Sequence, residues 1–389
     1  MLLLLDQNTW AQLKLIIQRI VLREILLPLK EPFQISSGTT VENRRICLVE
    51  IRSVEGTAGW SECVAGGFPN YNAETIDTAW FALSNWIAPR ILRREIDGPQ
   101  KIYAILNGDI RGHNMAKAAV EMGVWELTAR LEGLSLSKLL GGVRESIEVG
   151  ISLGIEERSD ILVEKVRTSL HQGYRKVKIM IKPGKDIQYI RAVREAVGGE
   201  APLMVDANNA YSMSDLDHLK KLDGFHLLMI EQPLAWDDLV RHAKLQKHLK
   251  TPICLDESIT SAERAEDMIT LGSGKIINIK PGRVGGFLSS VAIHNLCADY
   301  RMPVWCGGML ESGIGRAHNV ALASLPNFVL PGDLSPSARY WAQDIVIPEW
   351  KMDEHGMVCV PVDKPGMGVE VDMDRVENLT VRREVLSAD

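Results

Sequence analysis

RKVKIMIKPG (175–184) opens a run of five segments built to one design. LMVDANN (203–209), LLMIEQPL (227–234), ICLDES (253–258) and INIKPGRVGG (277–286) follow it. Each is a short apolar run of strand type that stops at an ionisable residue: Lys178, Asp206, Glu231, Asp256 and Lys280. Successive endings lie about 25 residues apart, the length of one strand plus one helix. Two lysines therefore flank three carboxylates at the period of a barrel.

The alternation extends in both directions. SIEVGISLG (146–154), MPVWCGGML (302–310) and NFVLPGDL (327–334) read as further strands. Helices are expected at 157–173, 186–198, 212–222, 237–249, 261–272, 285–300 and 313–325. Eight strands joined by helical crossovers predict a parallel barrel. A doubly wound open sheet shows the same alternation, but it gathers polar residues at one switch point rather than at every strand end. Upstream the order differs. Residues 17–62 read as strands separated by polar, Gly-rich loops, and 73–89, 98–107 and 114–132 read as helices, which is α+β order. The expected division is a first domain over 1–143, with residues 1–16 as an extension, a barrel over 144–334, and a segment over 335–389 that returns to the first domain.

Bulk properties exclude several classes. The 389 residues are 46% hydrophobic and 24% charged, with a formal net charge of -6. That balance, without a Lys/Arg-rich run, argues against a nucleic-acid partner. The leucine run at the start stops at Asp6, too short for a signal h-region or a membrane span, so no membrane role is expected. The six cysteines are scattered without a C-x-x-C pair, which suits a reducing cytoplasm. A symmetric homo-oligomer is the default expectation.

In a barrel, residues at the C-terminal strand ends converge on one site. Taken singly, Asp206, Glu231 and Asp256 read as helix caps. Taken together on neighbouring strands, three carboxylates repel one another, and a hard divalent cation, magnesium or manganese, relieves the repulsion. Lys178 and Lys280 then face each other across the cavity. Lys176 shares the inward face with Lys178, and its ammonium together with the nearby cation is expected to favour a neutral Lys178 amine, a base near neutral pH. A lone strand-end lysine usually snorkels into solvent, which two on one inward face do not. A base, an opposed acid and a carboxylate-bound ion suit removal of a proton α to a carboxylate, through an enediolate.

These residues resemble the enolase superfamily, its muconate-lactonising subgroup, and within that the o-succinylbenzoate synthase / N-succinylamino acid racemase family. The resemblance runs through PFQISSGT (32–39), GWSEC (59–63), PNYNAET (69–75), AAVEMGVWELTAR (118–130), LLGG (139–142), the five strand ends, WCGGMLESGIGRAHN (305–319) and PGDLSPSARYW (331–341). It implies a modified TIM barrel, (β/α)7β, under an α+β capping domain. It implies magnesium on Asp206, Glu231 and Asp256, with Lys178 and Lys280 as the two acid/bases and Lys176 in support. The substrate it implies is a small-molecule carboxylate: a cyclohexadiene carboxylate dehydrated to 2-succinylbenzoate for menaquinone synthesis, or an N-succinylamino acid that is racemised. Ser152, Asn208, Gly307 and Met309 are implied to contact substrate, and Phe33, Phe68 and Tyr71 to shape the distal pocket from cap loops.

Related alternatives are muconate cycloisomerase and dipeptide epimerase. The latter carries an Asp-x-Asp pair on the eighth strand, where this chain is expected to read CGGML (306–310). Outside the superfamily, a Schiff-base aldolase would use one lysine and no metal, and a binding-only barrel would need neither lysine.

Overall fold

Apolar side chains at every second position suit long antiparallel strands near the start of the described chain. The computed structural model describes residues 14–34 and 40–387. The strand Lys14–Gln34 pairs with Thr40–Ser53, which pairs in turn with Ala58–Cys63. On the other edge Thr380–Ser387 pairs with the first strand, placing Ser387 opposite Arg19. Phe33 is placed by its backbone alone, and its side chain lies outside the described residues. Helical turns run through Ile76–Ile91, followed by the helices Gln100–Asn107 and Asn114–Leu131. The last of these is buried on nearly every face, because the cap sheet covers one side and the barrel the other.

Seven parallel strands form the barrel wall in chain order: Ile151–Leu153, Val177–Met180, Leu203–Asp206, Ile230–Glu231, Ile253–Leu255, Ile276–Ile279 and Val304–Cys306. The expected strand at 146–154 divides in two. Its first half, Ser146–Glu148, pairs antiparallel with Met357–Cys359, and only the second half enters the wall. The eighth segment closes the wall through two isolated bridges, Phe328 to Val304 and Gly332 to Val149. Pro331 sits between them and has no amide hydrogen to continue a ladder. In place of the expected helix at 212–222 stands a chain of 3-10 and α turns over residues 213–225. Asp223 there accepts hydrogen bonds from the Lys250 and Thr251 amides instead of ending a regular helix.

Met204, Met229, Cys254, Ile276 and Trp305 fill the barrel interior as one buried cluster, giving the site above it a dry floor. The cap is tied to the barrel by two of its carboxylates, each set at the start of a barrel helix. Glu62 accepts from the Ser312 and Gly315 amides at the helix Gly313–Ala323. Glu121 accepts from the Phe287 and Leu288 amides at the helix Phe287–Asp299. Gly286 is required beside Glu121: its φ is +118°, and a Cβ there would lie 2.3 Å from the Glu121 carboxylate. No described helix is long and apolar enough to cross a membrane.

Candidate active site

Ladder register decides which side chains meet. Ser152 is the partner of Lys178, Lys178 of Met204, Asp206 of Glu231, and Glu231 of Cys254. Asp256 lies two residues beyond Cys254, and Lys280 two beyond Asn278, so period two keeps them all on the inner face. Lys178 and Lys280 come from the second and sixth strands of an eight-segment wall, on opposite sides of it.

Around Lys178 three carboxylates close in. Its Nζ lies 2.8 Å from Asp333, 3.1 Å from Glu231 and 3.2 Å from Asp206. Burial alone would strip its proton, but Asp333, Glu231 and Asp206 outweigh burial and raise its pKa well above the usual lysine value. Here these carboxylates lie closer to Lys178 than its lysine neighbour acts and favour the ammonium, whereas the expected neutral amine goes with a cation held on Asp206 and Glu231. Lys176 is the lysine whose pKa is lowered, first by burial and also by Lys178. Its Nζ stands 3.3 Å from the centroid of the Trp305 ring and 3.6 Å from Asp333, and has no hydrogen-bond partner among the described residues.

Lys280 is held differently. Its Nζ meets one carboxylate, Asp256, at 2.7 Å and sits 4.7 Å from the centre of the Tyr71 ring. The other Asp256 oxygen accepts from the Arg283 guanidinium and from the Tyr71 hydroxyl at 2.9 Å. Burial would raise the Asp256 pKa, yet Lys280 and Arg283 together keep it below the ordinary carboxylate value. Gly307 belongs to this side: a Cβ there would fall 2.3 Å from Asn278 and 2.7 Å from Lys280. Its absence of a side chain makes room for the lysine.

A cavity of about 380 Å³ joins the two sides. Lys178, Lys280, Asp206, Ser152, Asn208, Met309, Phe68 and Tyr71 line it, whereas Glu231 and Asp256 lie behind the lining and Gly307 supports it. Ser152 donates to Asp333 at 2.9 Å, and Asn208 to Asp206 at 2.9 Å.

Four residues escaped the sequence reading. Asp333 ends the eighth segment, and the strand-end period would have pointed to it had Pro331 not broken the strand pattern. Asn278 donates to Glu231 at 2.7 Å from two positions before Lys280. Arg283 lies one helical turn after that lysine, in a stretch that reads as a turn. Glu257 lines the cavity, accepts from Asn209 at 3.0 Å, and has one buried oxygen without a partner among the described residues. The placement of CGGML is also corrected. Cys306 ends the seventh strand and residues 307–310 follow it, and the eighth segment ends in Asp333-Leu334-Ser335, one acid rather than a pair.

The donor set fits a hard divalent ion. Asp206, Glu231 and Asp256 offer buried carboxylate oxygens with no sulfur or imidazole among them. Burial, with Asp206 and Asp256 nearby, pushes Glu231 up to about 8, which records the unrelieved repulsion. As the side chains stand, no three such groups among the described residues converge closely enough to share an ion. The Lys178 ammonium sits between Asp206 and Glu231, so a cation already marks that position.

Comparison with known proteins agrees with this geometry. Residues 17–141 match the N-terminal domain of the mandelate racemase / muconate lactonizing enzyme family, and 162–375 match the enolase C-terminal domain-like family. The chain is 48% identical to an o-succinylbenzoate synthase of Geobacillus stearothermophilus over 94% of its own length and 96% of the relative's. It is 45% identical to an N-succinylamino acid racemase of Thermus thermophilus over 94% and 98% of the two chains. Its fold superposes on a crystal structure of an enolase superfamily member from Listeria innocua with a TM-score of 0.92, at 41% identity, covering 96% and 99% of the two chains. This chain belongs to the enolase superfamily.

Proposed function

We propose that the protein abstracts a proton α to a carboxylate, and that it acts as a magnesium-dependent o-succinylbenzoate synthase, in menaquinone synthesis, with N-succinylamino acid racemisation at the same site. The observation that carries this is the meeting of two buried lysines from opposite strands with three carboxylates around one cavity. Relatives of both names at 45–48% identity support the pairing of activities.

Asp206, Glu231 and Asp256 would hold the ion, which would neutralise the enediolate and take up carboxylate charge that now rests on Lys178. For dehydration, Lys178 removes the proton from the carbon beside the carboxylate, and the electron pair enters the carboxylate. The proton on Lys178 then passes to the leaving hydroxyl, water departs, and the ring becomes aromatic. Lys280 stays protonated and stabilises the developing charge. For racemisation, one lysine removes the α-proton and the other delivers a proton to the opposite face. The ring of Trp305 and the apolar floor keep water from below.

A single acid at the eighth segment disfavours a dipeptide epimerase, whose substrate carries a free ammonium group. Activity is expected on the cyclohexadiene carboxylate, lost completely in EDTA and restored by magnesium. Borohydride trapping of substrate on a lysine, with activity untouched by EDTA, would instead mark a Schiff-base enzyme.

A further inference from the structure

Three arginines, Arg44, Arg45 and Arg316, line the same cavity, and one of them lacks an ion-pair partner among the described residues. Arg45 is paired with Glu24 at 2.6 Å and Asp77 at 2.9 Å. Arg316 donates to the Asp333 carbonyl at 2.9 Å and lies 3.9 Å from Glu311. Arg44 lines the cavity, is only 8% exposed, and has no carboxylate within ion-pair distance among the described residues. Glu62 and Glu311 act on it only from farther away. Its two terminal nitrogens donate to carbonyls, Nη1 to Ala65 at 3.2 Å and Nη2 to Val64 at 2.5 Å. Nε has no partner. A buried guanidinium with five donors and only neutral acceptors carries a large desolvation penalty that an anion would offset.

The carbonyls that hold Arg44 connect it to the reactive end. Val64 and Ala65 lead into Gly66 and Phe68 on the cavity wall. Val64 also packs on Gly282, two residues past Lys280, so closely that a Cβ there would lie 2.4 Å from Val64 Cγ2. Two acids that line the cavity from the cap are engaged elsewhere or face outward: Glu74 accepts from the Met115 and Ala116 amides, and Glu42 is exposed.

We propose that Arg44 is the receptor for a second carboxylate, at the far end of a dicarboxylate whose first carboxylate meets Lys178 and Lys280. This rests on the proposed function and adds the origin of its preference for a succinyl group. A guanidinium fork matches a carboxylate in two parallel hydrogen bonds. A substrate that lacks the second carboxylate leaves the guanidinium with neutral acceptors only, so the site discriminates by the charge it leaves uncompensated.

The test compares substrates with and without the second carboxylate. In Arg44→Gln, kcat/KM for an N-succinylamino acid is expected to fall about 10- to 100-fold, while the N-acetyl analogue changes less than about threefold. Arg44→Lys is expected to lie between, since it keeps the charge and loses the fork. Equal losses on both substrates, or no loss on either, would overturn the proposal and leave Arg44 as a brace for the Val64–Ala65 turn. Because Arg44→Gln can fail to fold, inhibition is measured on the wild type and Arg44→Lys as well. 2-Succinylbenzoate is expected to inhibit the wild type at least tenfold more tightly than 2-acetylbenzoate, a gap that narrows in Arg44→Lys. Equal inhibition by the two would also overturn the assignment. This arm needs no turnover, so a wild type inactive on every substrate would defeat the proposed function and still leave Arg44 tested.

Discussion

Lys178 and Lys280 stand on opposite sides of one barrel and end in unlike surroundings. Three carboxylates lie within 3.2 Å of the Lys178 ammonium. Lys280 has one carboxylate and the face of an aromatic ring. The contrast teaches that two lysines with opposed positions need not be equivalent. The first is fixed by a built cage, and the second keeps donors free toward the cavity. A fixed base suits abstraction at one carbon, and a cation with open donors suits the charge that appears on the substrate carboxylate.

Removing each lysine breaks the comparison most directly. Lys178→Ala is expected to lower dehydration by a factor of about 10³ or more, since proton transfer has no substitute there. Lys280→Ala is expected to lower it by about 10² to 10³, the range for loss of a charge-stabilising donor. In deuterium oxide each variant should retain α-proton exchange with one enantiomer of an N-succinylamino acid and lose it with the other. Unimpaired racemisation by Lys280→Ala would sink the two-base assignment.

Asp333 is the residue that makes the two sides unequal. Asp333→Asn keeps the shape and removes the charge nearest Lys178. The expected result is a fall of about 10- to 100-fold in kcat with KM nearly unchanged, because the variant disturbs the base rather than binding. Stability should fall by no more than about 3 kcal/mol in urea unfolding, since Lys176, already disposed to lose its proton, need not remain charged. An unchanged kcat would show that Asp206 and Glu231 alone hold Lys178, and the asymmetry would disappear.

On the Lys280 side, Gly307→Ala forces a methyl group against Asn278 and Lys280. Overpacking of this kind costs about 1–3 kcal/mol, and the displaced lysine should slow the synthase about tenfold or more. The variant measures how far a lysine with a single anchor tolerates displacement. An active, fully stable variant would mean that Lys280 relocates freely.

Much of this asymmetry was hidden in the sequence, and the reasons are physical. Strand ends such as Asp206 and Lys280 were legible because an apolar run that stops at a charge survives in one dimension. The barrel order was legible for the same reason. Asp333 was not, because Pro331 interrupts the ladder and leaves only bridges where the eye looks for a strand. Arg283 and Asn278 act through contacts to Asp256 and Glu231 that no spacing rule encodes. The surroundings of Lys178 were legible only in part: Asp206 and Glu231 end neighbouring strands, while Asp333 arrives from the segment whose strand pattern Pro331 breaks.

The smallest expected effect is the sharpest probe of the Lys280 side. Tyr71→Phe removes a hydroxyl that donates to Asp256 at 2.9 Å and receives from Arg283 at 3.3 Å. It leaves the ring under the Lys280 ammonium, so the cation–π contact survives. A hydrogen bond to a charged acceptor contributes about 1.5–3 kcal/mol when nothing replaces it. Here Lys280 and Arg283 still hold the Asp256 carboxylate, so the loss in kcat/KM should stay below about tenfold. Tyr71→Ala removes the ring as well and should cost several times more. A Tyr71→Phe defect as deep as that of Asp333→Asn would show that the phenol holds Lys280 as firmly as the carboxylate cage holds Lys178. The two lysines would then differ in their neighbours but not in how tightly they are fixed, and the division of labour would have to come from the substrate's position alone.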